Sequence, residues 1–314
     1  MNRKRKINID SIRELLLVGV VLLLCVVWTI MNPQFLSISN LTNILRQASY
    51  TTIAAVGMTM VIIIGEIDLS AGSLVCASGL VGAMVCKNTN SVFLAIISAL
   101  LTGAVVGLCN GTLCAAGKLP GFIASLASMT ILRGLAYIIT GGNSIVWGND
   151  KFTKIGTGYV GPVPIPVILM GIVIAFGIFL TTKLRFGRYI YAVGGNMESS
   201  RWSGIAVVKV KIIVYVIMGV LTSIAGLIVT ARLGSGQPSA GMNFEMDCIT
   251  AAVVGGTSMS GGRGKIAGTI VGVLLLTVLT NGMTLVGMNT YWQQVLKGII
   301  IVVSVLADTR GKRK

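Results

Sequence analysis

Histidine is absent from this 314-residue chain, and charge is scarce: Asp, Glu, Lys and Arg together make up 11% of it. The first absence removes the commonest general base and the commonest metal ligand. Hydrolase and metalloenzyme readings lose their usual chemistry with it. The second excludes a water-soluble domain, which carries about 25% charged residues. A disulfide or metal frame is missing too. Cys25, Cys76, Cys86, Cys109, Cys114 and Cys248 lie within or at the edge of apolar stretches, and none forms a CxxC pair. They read as small reduced hydrophobes. Acid is the scarcer charge, with nine Asp and Glu against 25 Lys and Arg and a formal net charge of +16. That excess does not point to nucleic acid, because the cations sit in short segments between apolar runs, without aromatic interleaving on a soluble face.

What the chain has is hydrophobe, 54% of all residues, and 40 glycines. Long apolar runs make the bilayer the solvent, and small residues suit close helix packing in lipid. The expectation is an all-α, polytopic membrane protein, one transmembrane domain over 1–314, with membrane lipid as its immediate partner. A crossing needs about 20 apolar residues. Ten candidates follow: 15–31, 48–64, 71–86, 92–116, 120–139, 164–182, 212–233, 247–260, 266–287 and 292–307, with 71–86 and 247–260 the shortest. The first has a basic start, but its run is longer than the core of a signal peptide and no small-x-small site follows, so it reads as an uncleaved span.

The basic residues orient the spans. With both termini cytoplasmic, Arg3, Lys4, Arg5, Lys6, Arg13, Lys118, Lys183, Arg185, Arg188, Arg201, Lys209, Lys211, Arg263, Lys265, Arg310, Lys312, Arg313 and Lys314 fall inside. Arg46, Lys87, Lys151, Lys154 and Arg232 fall outside, and Arg133 and Lys297 fall within spans. This asymmetry obeys the positive-inside rule. Outside, residues 31–49 read as a short amphipathic helix at the interface, capped by Ser39 or Asn40. Residues 140–166, rich in Gly and Pro, read as a landing surface for an outside partner. A faint echo links "TIAAVGMTMVIIIGEIDLSAGS", from Thr52, to "TAAVVGGTSMSGGRG", from Thr250; both run inward and break at a Gly/Ser loop, as transporter repeats do.

"GEIDLSAGS" places Glu66 and Asp68 between two short apolar spans. Two readings stand. The acids cap the next helix in water, or the break lies within the membrane's depth and lines a wet path. Neither is catalytic, since no base stands nearby. Asn110, Thr112, Arg133, Asn281 and Thr284 join them as candidates for such a path, because sugars and similar solutes want amide, hydroxyl and carboxylate partners. Arg133 could instead snorkel outward, and Lys297 is expected to do so. "SGGRGKIAGT" departs from a phosphate loop: Gly264-Lys265 is followed by Ile266, where Ser or Thr is needed. It reads as a tight inside turn, and no cofactor or metal is expected on this chain.

The longest inside loop, 183–211, is basic but not of low complexity. In "NMESSRWSGI", Asn196 caps a short helix, Gly194 and Gly195 make the turn before it, and Gly204 ends it. An exposed helix with a Trp and flanking cations suits docking of another protein.

"GRYIYAVGGNMESSRWSGI" resembles the cytoplasmic loop of permease subunits of bacterial ABC sugar importers of the ribose type. So do "GEIDLSAGS", "ARLGSGQPSAGMNFEMDCITAAVVGGTSMSGGRGKIAGT" and "YWQQVLKGIIIVVSVLAD", in the family's order and over nearly the whole chain. Glu66 departs from the pattern, which more often has Gly there; Asp68 fits it. The resemblance implies an inner-membrane homodimer that is not itself an enzyme. A separate ATPase subunit uses ATP and Mg, and an extracytoplasmic sugar-binding protein delivers the cargo. It also implies that 183–211 is the coupling loop, with Gly187, Arg188, Tyr191, Gly194, Gly195, Asn196, Ser203 and Gly204 at the matching positions. Alternatives are the same architecture importing a nucleoside, an autoinducer or a branched amino acid, and an ion-driven secondary transporter.

Overall fold

The computed structural model describes the backbone of residues 9–310 and the side chains of 15–306. Arg3, Lys4, Arg5, Lys6, Lys312, Arg313 and Lys314, which the orientation argument uses, lie outside the described residues, as do the side chains of Arg13 and Arg310. The described residues form an all-α bundle. The helices are α1 (Ile9–Met31), α2 (Ile38–Ile63), α3 (Ala71–Thr89), α4 (Val92–Ala115), α5 (Gly121–Thr140), α6 (Asp150–Thr157), α7 (Ile165–Thr182), α8 (Arg185–Gly195), α9 (Met197–Trp202), α10 (Val207–Leu233), α11 (Phe244–Val254), α12 (Ile266–Leu285) and α13 (Thr290–Arg310). Six of them, α3, α4, α5, α7, α10 and α12, are long and apolar enough to cross a membrane. The faces of α1, α4, α5, α7 and α13 expose large hydrophobes such as Leu22, Leu101, Ile131, Ile172 and Val302. So extensive an apolar surface suits a protein that spans a membrane.

α10 is the axis. It is 27 residues long with no proline, so it runs unbroken for about 40 Å at the usual rise. Around it the glycines have a definite use. Gly103, Gly107 and Gly111 of α4 recur every four residues and lie against Gly219, Tyr215 and Ile212 of α10; a Cβ at any of the three would collide with α10 backbone. This small-residue row brings the two helices into backbone contact. On another side of α10, Gly79 of α3 meets Thr230 and Gly226.

The bundle has two ends. At one, α2 ends and the chain turns between α4 and α5, α7 and α10, and α11 and α12. This end carries Lys118, Lys183, Arg185, Arg188, Arg201, Lys209, Arg263 and Lys265, and is called the basic end below. The opposite end is stitched by Arg46 Nη2 donating to Thr157 O, Asn149 Nδ2 to Asn90 O, and an Ile145–Gly236 bridge.

Three expectations need correction. Residues 31–49 do not form a separate interfacial helix: a 3-10 turn at Pro33–Leu36 leads into α2, which begins at Ile38 with Ser37 as cap. No Gly or Pro stands between Ile38 and Val56 to interrupt it, so the helix simply continues. The cap is therefore neither Ser39 nor Asn40. The span expected at 247–260 is the 11-residue α11, about 16 Å long, which ends before Gly255 because Gly256 adopts φ +98°. The 140–166 segment is not an open loop: it holds α6 and a hairpin pairing Tyr159 with Pro164, anchored by buried Trp147 and Phe152.

The α4–α10 contact predicts that Gly107→Leu, which drives a side chain into the Tyr215 and Val216 backbone, destabilises the bundle by about 1–3 kcal/mol. Gly171→Leu on α7, where a Cβ meets nothing within 4 Å, leaves stability unchanged. Thermal unfolding in detergent compares the two.

Candidate functional site

α2 ends where Gly65 takes φ +80°, a conformation that favours glycine. The chain then runs without helix to Ser70. Buried backbone groups of such a break need partners in the protein, and at Ile67 and Leu69 they come from two other helices, α5 and α10. Leu69 N–H donates to Ser125 Oγ at 3.0 Å, and Ser125 Oγ in turn reaches Ile67 O at 3.3 Å. Tyr215 OH points at the same carbonyl from 3.5 Å. Asp68 is 2% exposed, and its Oδ1 accepts from Ser70 N–H at 2.8 Å and from Ser70 Oγ at 2.6 Å. The chain of bonds goes on through Asn110 Nδ2 to Ser70 Oγ at 3.0 Å and Ser128 Oγ to Asn110 Oδ1 at 2.5 Å. Asp68 therefore shapes the start of α3 from inside the protein.

α3 begins deep in the bundle. Val75 lies beside Gly226 in the last third of α10, and Gly72 lies against Gly241 and Glu245. α11 also begins deep, because residues 234–243 descend from the far end of α10 before helix resumes. The first turns of α3 and α11 thus meet inside.

Glu66 sits on the basic-end side of the break. Lys211 Nζ lies 2.5 Å from its Oε1, and Gly121 N–H donates to Oε2 at 3.0 Å. The carboxylate joins the break to the first turn of α5 and the first turns of α10. A cavity of about 550 Å³ opens here, lined by Glu66, Lys211, Pro120, Met197 and Arg201 among others.

Within the loop expected at 183–211, α8 and α9 occupy most of the chain, and the loop ends earlier than expected because α10 already begins at Val207. In α9, Asn196 Oδ1 accepts from Ser199 N–H at 2.9 Å, a true N-cap. Gly204, at φ +80°, follows its end. Trp202 is 90% exposed, and Arg188 and Ser203 are exposed as well. Gly194 and Gly195 do not make a turn, since both belong to the last turn of α8. Gly194 is there for closeness: a Cβ on it would run into Ile63 O and Gly262 N. Gly262 N–H donates to that same Ile63 carbonyl at 2.8 Å. Tyr191 OH reaches Gly264 O at 2.8 Å, and burial pushes its phenol up, so it stays a donor. Gly187 packs on the Leu180 and Thr181 carbonyls. The "SGGRGK" segment is a tight turn, with Gly261 and Gly262 at φ +79° and +73°.

Beyond the break, a second cavity of about 450 Å³ lies between α5, α3 and α11. Arg133 and Glu245 both line it. Arg133 does not snorkel: its Nη1 donates to Pro238 O at 2.7 Å and Ala240 O at 2.8 Å. The other candidates scatter. Thr112 is exposed on α4. Asn281 forms a closed amide pair with Asn40, each Nδ2 donating to the other's Oδ1 at 2.9 Å. Thr284 bonds Thr280 O in its own helix and accepts from Gln293. Of the seven candidates for a path, the structure brings together Glu66, Asp68 and Asn110 along the break and sets Arg133 at the cavity beyond it.

A family model described as "Branched-chain amino acid transport system / permease component" matches residues 40–305. The chain belongs to this family. Among relatives of this permease, the ribose import permease protein RbsC of Haemophilus influenzae is 43% identical over 295 residues, 93% of this chain and 91% of that protein. RbsC of Bacillus subtilis is 44% identical over 314 residues, 98% of this chain and 96% of that protein. The xylose transport system permease protein XylH of Escherichia coli K12 is 34% identical, over 94% and 91% of the two chains. No solved structure matches. The protein is thus a multi-pass permease component of a transport system.

Two of the permease's buried charges, Lys211 and Glu245, and the half-buried Asp247 escape a reading of the sequence. Lys211 reads there as an orientation charge like its neighbour Lys209, and only the fold shows it turned inward to Glu66. Glu245 and Asp247 read as the boundary of a span. The structure instead buries Glu245 at 7% exposure and pairs Asp247 with Lys297 at 2.6 Å. Lys297 was expected to snorkel; it has a carboxylate on the facing helix instead.

Lys211→Met leaves Glu66 uncompensated and is expected to cost about 3 kcal/mol, whereas Glu66→Gln/Lys211→Met recovers most of that loss. A double-mutant cycle on thermal unfolding in detergent measures the coupling; strictly additive losses would show that the two side chains act independently.

Proposed function

We propose that this chain is the membrane-spanning subunit of an ATP-driven importer that carries a monosaccharide of the ribose type. Two copies form the pore. A separate ATPase subunit uses ATP and Mg at the basic end, and an extracytoplasmic binding protein delivers the sugar at the other. The basic end then faces the cytoplasm, with both termini, in the inner membrane. The similarity to ribose permeases over nearly the whole chain supports the cargo class. The excess of Lys and Arg at one end supports the orientation.

The observation that carries the mechanism is the seat of Gly194 on the Ile63 carbonyl. It ties α8, and through it the exposed α9, to the point where α2 gives way to the break. A push on α9 from a closing ATPase pair reaches the break through one rigid contact, and Lys211, nine residues beyond Trp202, holds the break's Glu66 directly. The break separates the cavity at the basic end from the one beyond it, so moving it exchanges access between the two sides. Each partner drives the cycle by favouring one of those states.

Asn196, Ser203 and Gly204 shape α9, Arg188 adds charge beside it, and Trp202 supplies the anchor. Trp202→Ala leaves the fold intact, because the side chain touches little, and weakens ATPase co-purification by about 30-fold, the loss of one hot-spot aromatic. Undiminished assembly and uptake would remove the docking role. Reconstitution decides between this reading and an ion-driven carrier: uptake of ribose is expected only with ATPase, ATP and binding protein, and uptake by the chain alone under an ion gradient would overturn it.

A further inference from the structure

We propose that the cavity between α5, α3 and α11 is the subsite that holds the sugar part-way through its crossing, with Glu245, Asn243 and Arg133 meeting its hydroxyls. This rests on the monosaccharide-import reading above. The cavity, about 450 Å³, falls in the range of small-molecule sites. Its walls mix the polar Ser73, Arg133, Asn243 and Glu245 with the apolar Met129 and Met242. That mixture suits a sugar, which presents hydroxyls at its edges and C–H faces between them.

Charge sharpens the assignment. One cation and one carboxylate share the cavity and offset each other's charge, so the lining favours no net charge of either sign. A neutral polyol takes an acceptor from the carboxylate and donors from the guanidinium and the amide. Asn243 is placed for this work: it stands at the head of α11 at φ +62°, exposed, and its side chain makes no capping bond. Glu245 is held from behind, because Gly72 has no Cβ to displace it. Ionisable groups so far from either end of a membrane bundle belong to a wetted cavity rather than to lipid. Position gives the sequence of events. Along α5, the basic-end cavity comes at Pro120, the pinned break at Gly121, Ser125 and Ser128, and this cavity from Met129 onward. A sugar resting here waits directly behind the break.

The test uses the complete transporter, with ATPase and binding protein, in proteoliposomes, and D-ribose as the probe. Glu245→Gln is expected to lower ribose uptake about tenfold, the loss of one charge-assisted hydrogen bond. A second measurement excludes a packing role. Thr130→Cys, whose native hydroxyl only bonds Leu126 O in its own helix, is placed in a chain with Cys109→Ser and treated with a hydrophilic methanethiosulfonate. Ribose with binding protein is expected to slow labelling several-fold. Labelling unaffected by ribose overturns the subsite, even if Glu245→Gln loses uptake. Wild-type vesicles that import leucine and not ribose would instead overturn the sugar reading itself.

Discussion

A polypeptide that leaves a helix within a packed bundle must find partners for its buried backbone groups in the protein. In this permease that demand falls on residues 65–70, and side chains of α4, α5 and α10 gather to meet it. Ser125, Ser128, Asn110 and Tyr215 come from three helices to one short stretch of chain. The buried carboxylate of Asp68 is tolerable there because its oxygen accepts a hydroxyl and an amide in place of water. The glycine row of α4 lets Asn110 come this close, since a wider α4–α10 spacing would lift it away from Ser70.

α5 shows how function can be layered on one helix. Its first turn receives Glu66 through a backbone amide, its second and third turns supply serines to the break, and its later turns face a cavity with a cation at Arg133. The helix is otherwise apolar and largely uncovered.

Much of this was legible in the sequence. Apolar runs at 92–116, 120–139 and 266–287 became α4, α5 and α12 with ends moved by two residues or fewer, because run length and bilayer thickness set them alone. The Asn196 cap was legible because capping is local chemistry. Where the chain depends on distant partners, the reading failed. α11 starts earlier than hydropathy suggests, since Glu245 is seated by Gly72, far away in the chain. Gly194 and Gly195 resemble a turn in one dimension; only Ile63, contributed by another helix, explains why Gly194 has no side chain. Lys209 and Lys211 look alike until Glu66 picks one of them.

The three-way junction of Gly194, Gly262 and the Ile63 carbonyl has a consequence for how such proteins diverge. Residues 183–211 are not a cassette. Their inner face is cut to the shape of a turn some seventy residues later and of a helix end more than a hundred residues earlier. An exchange of this segment for another therefore has to carry all three pieces, since a Cβ at Gly194 meets the Ile63 carbonyl and the Gly262 amide at once.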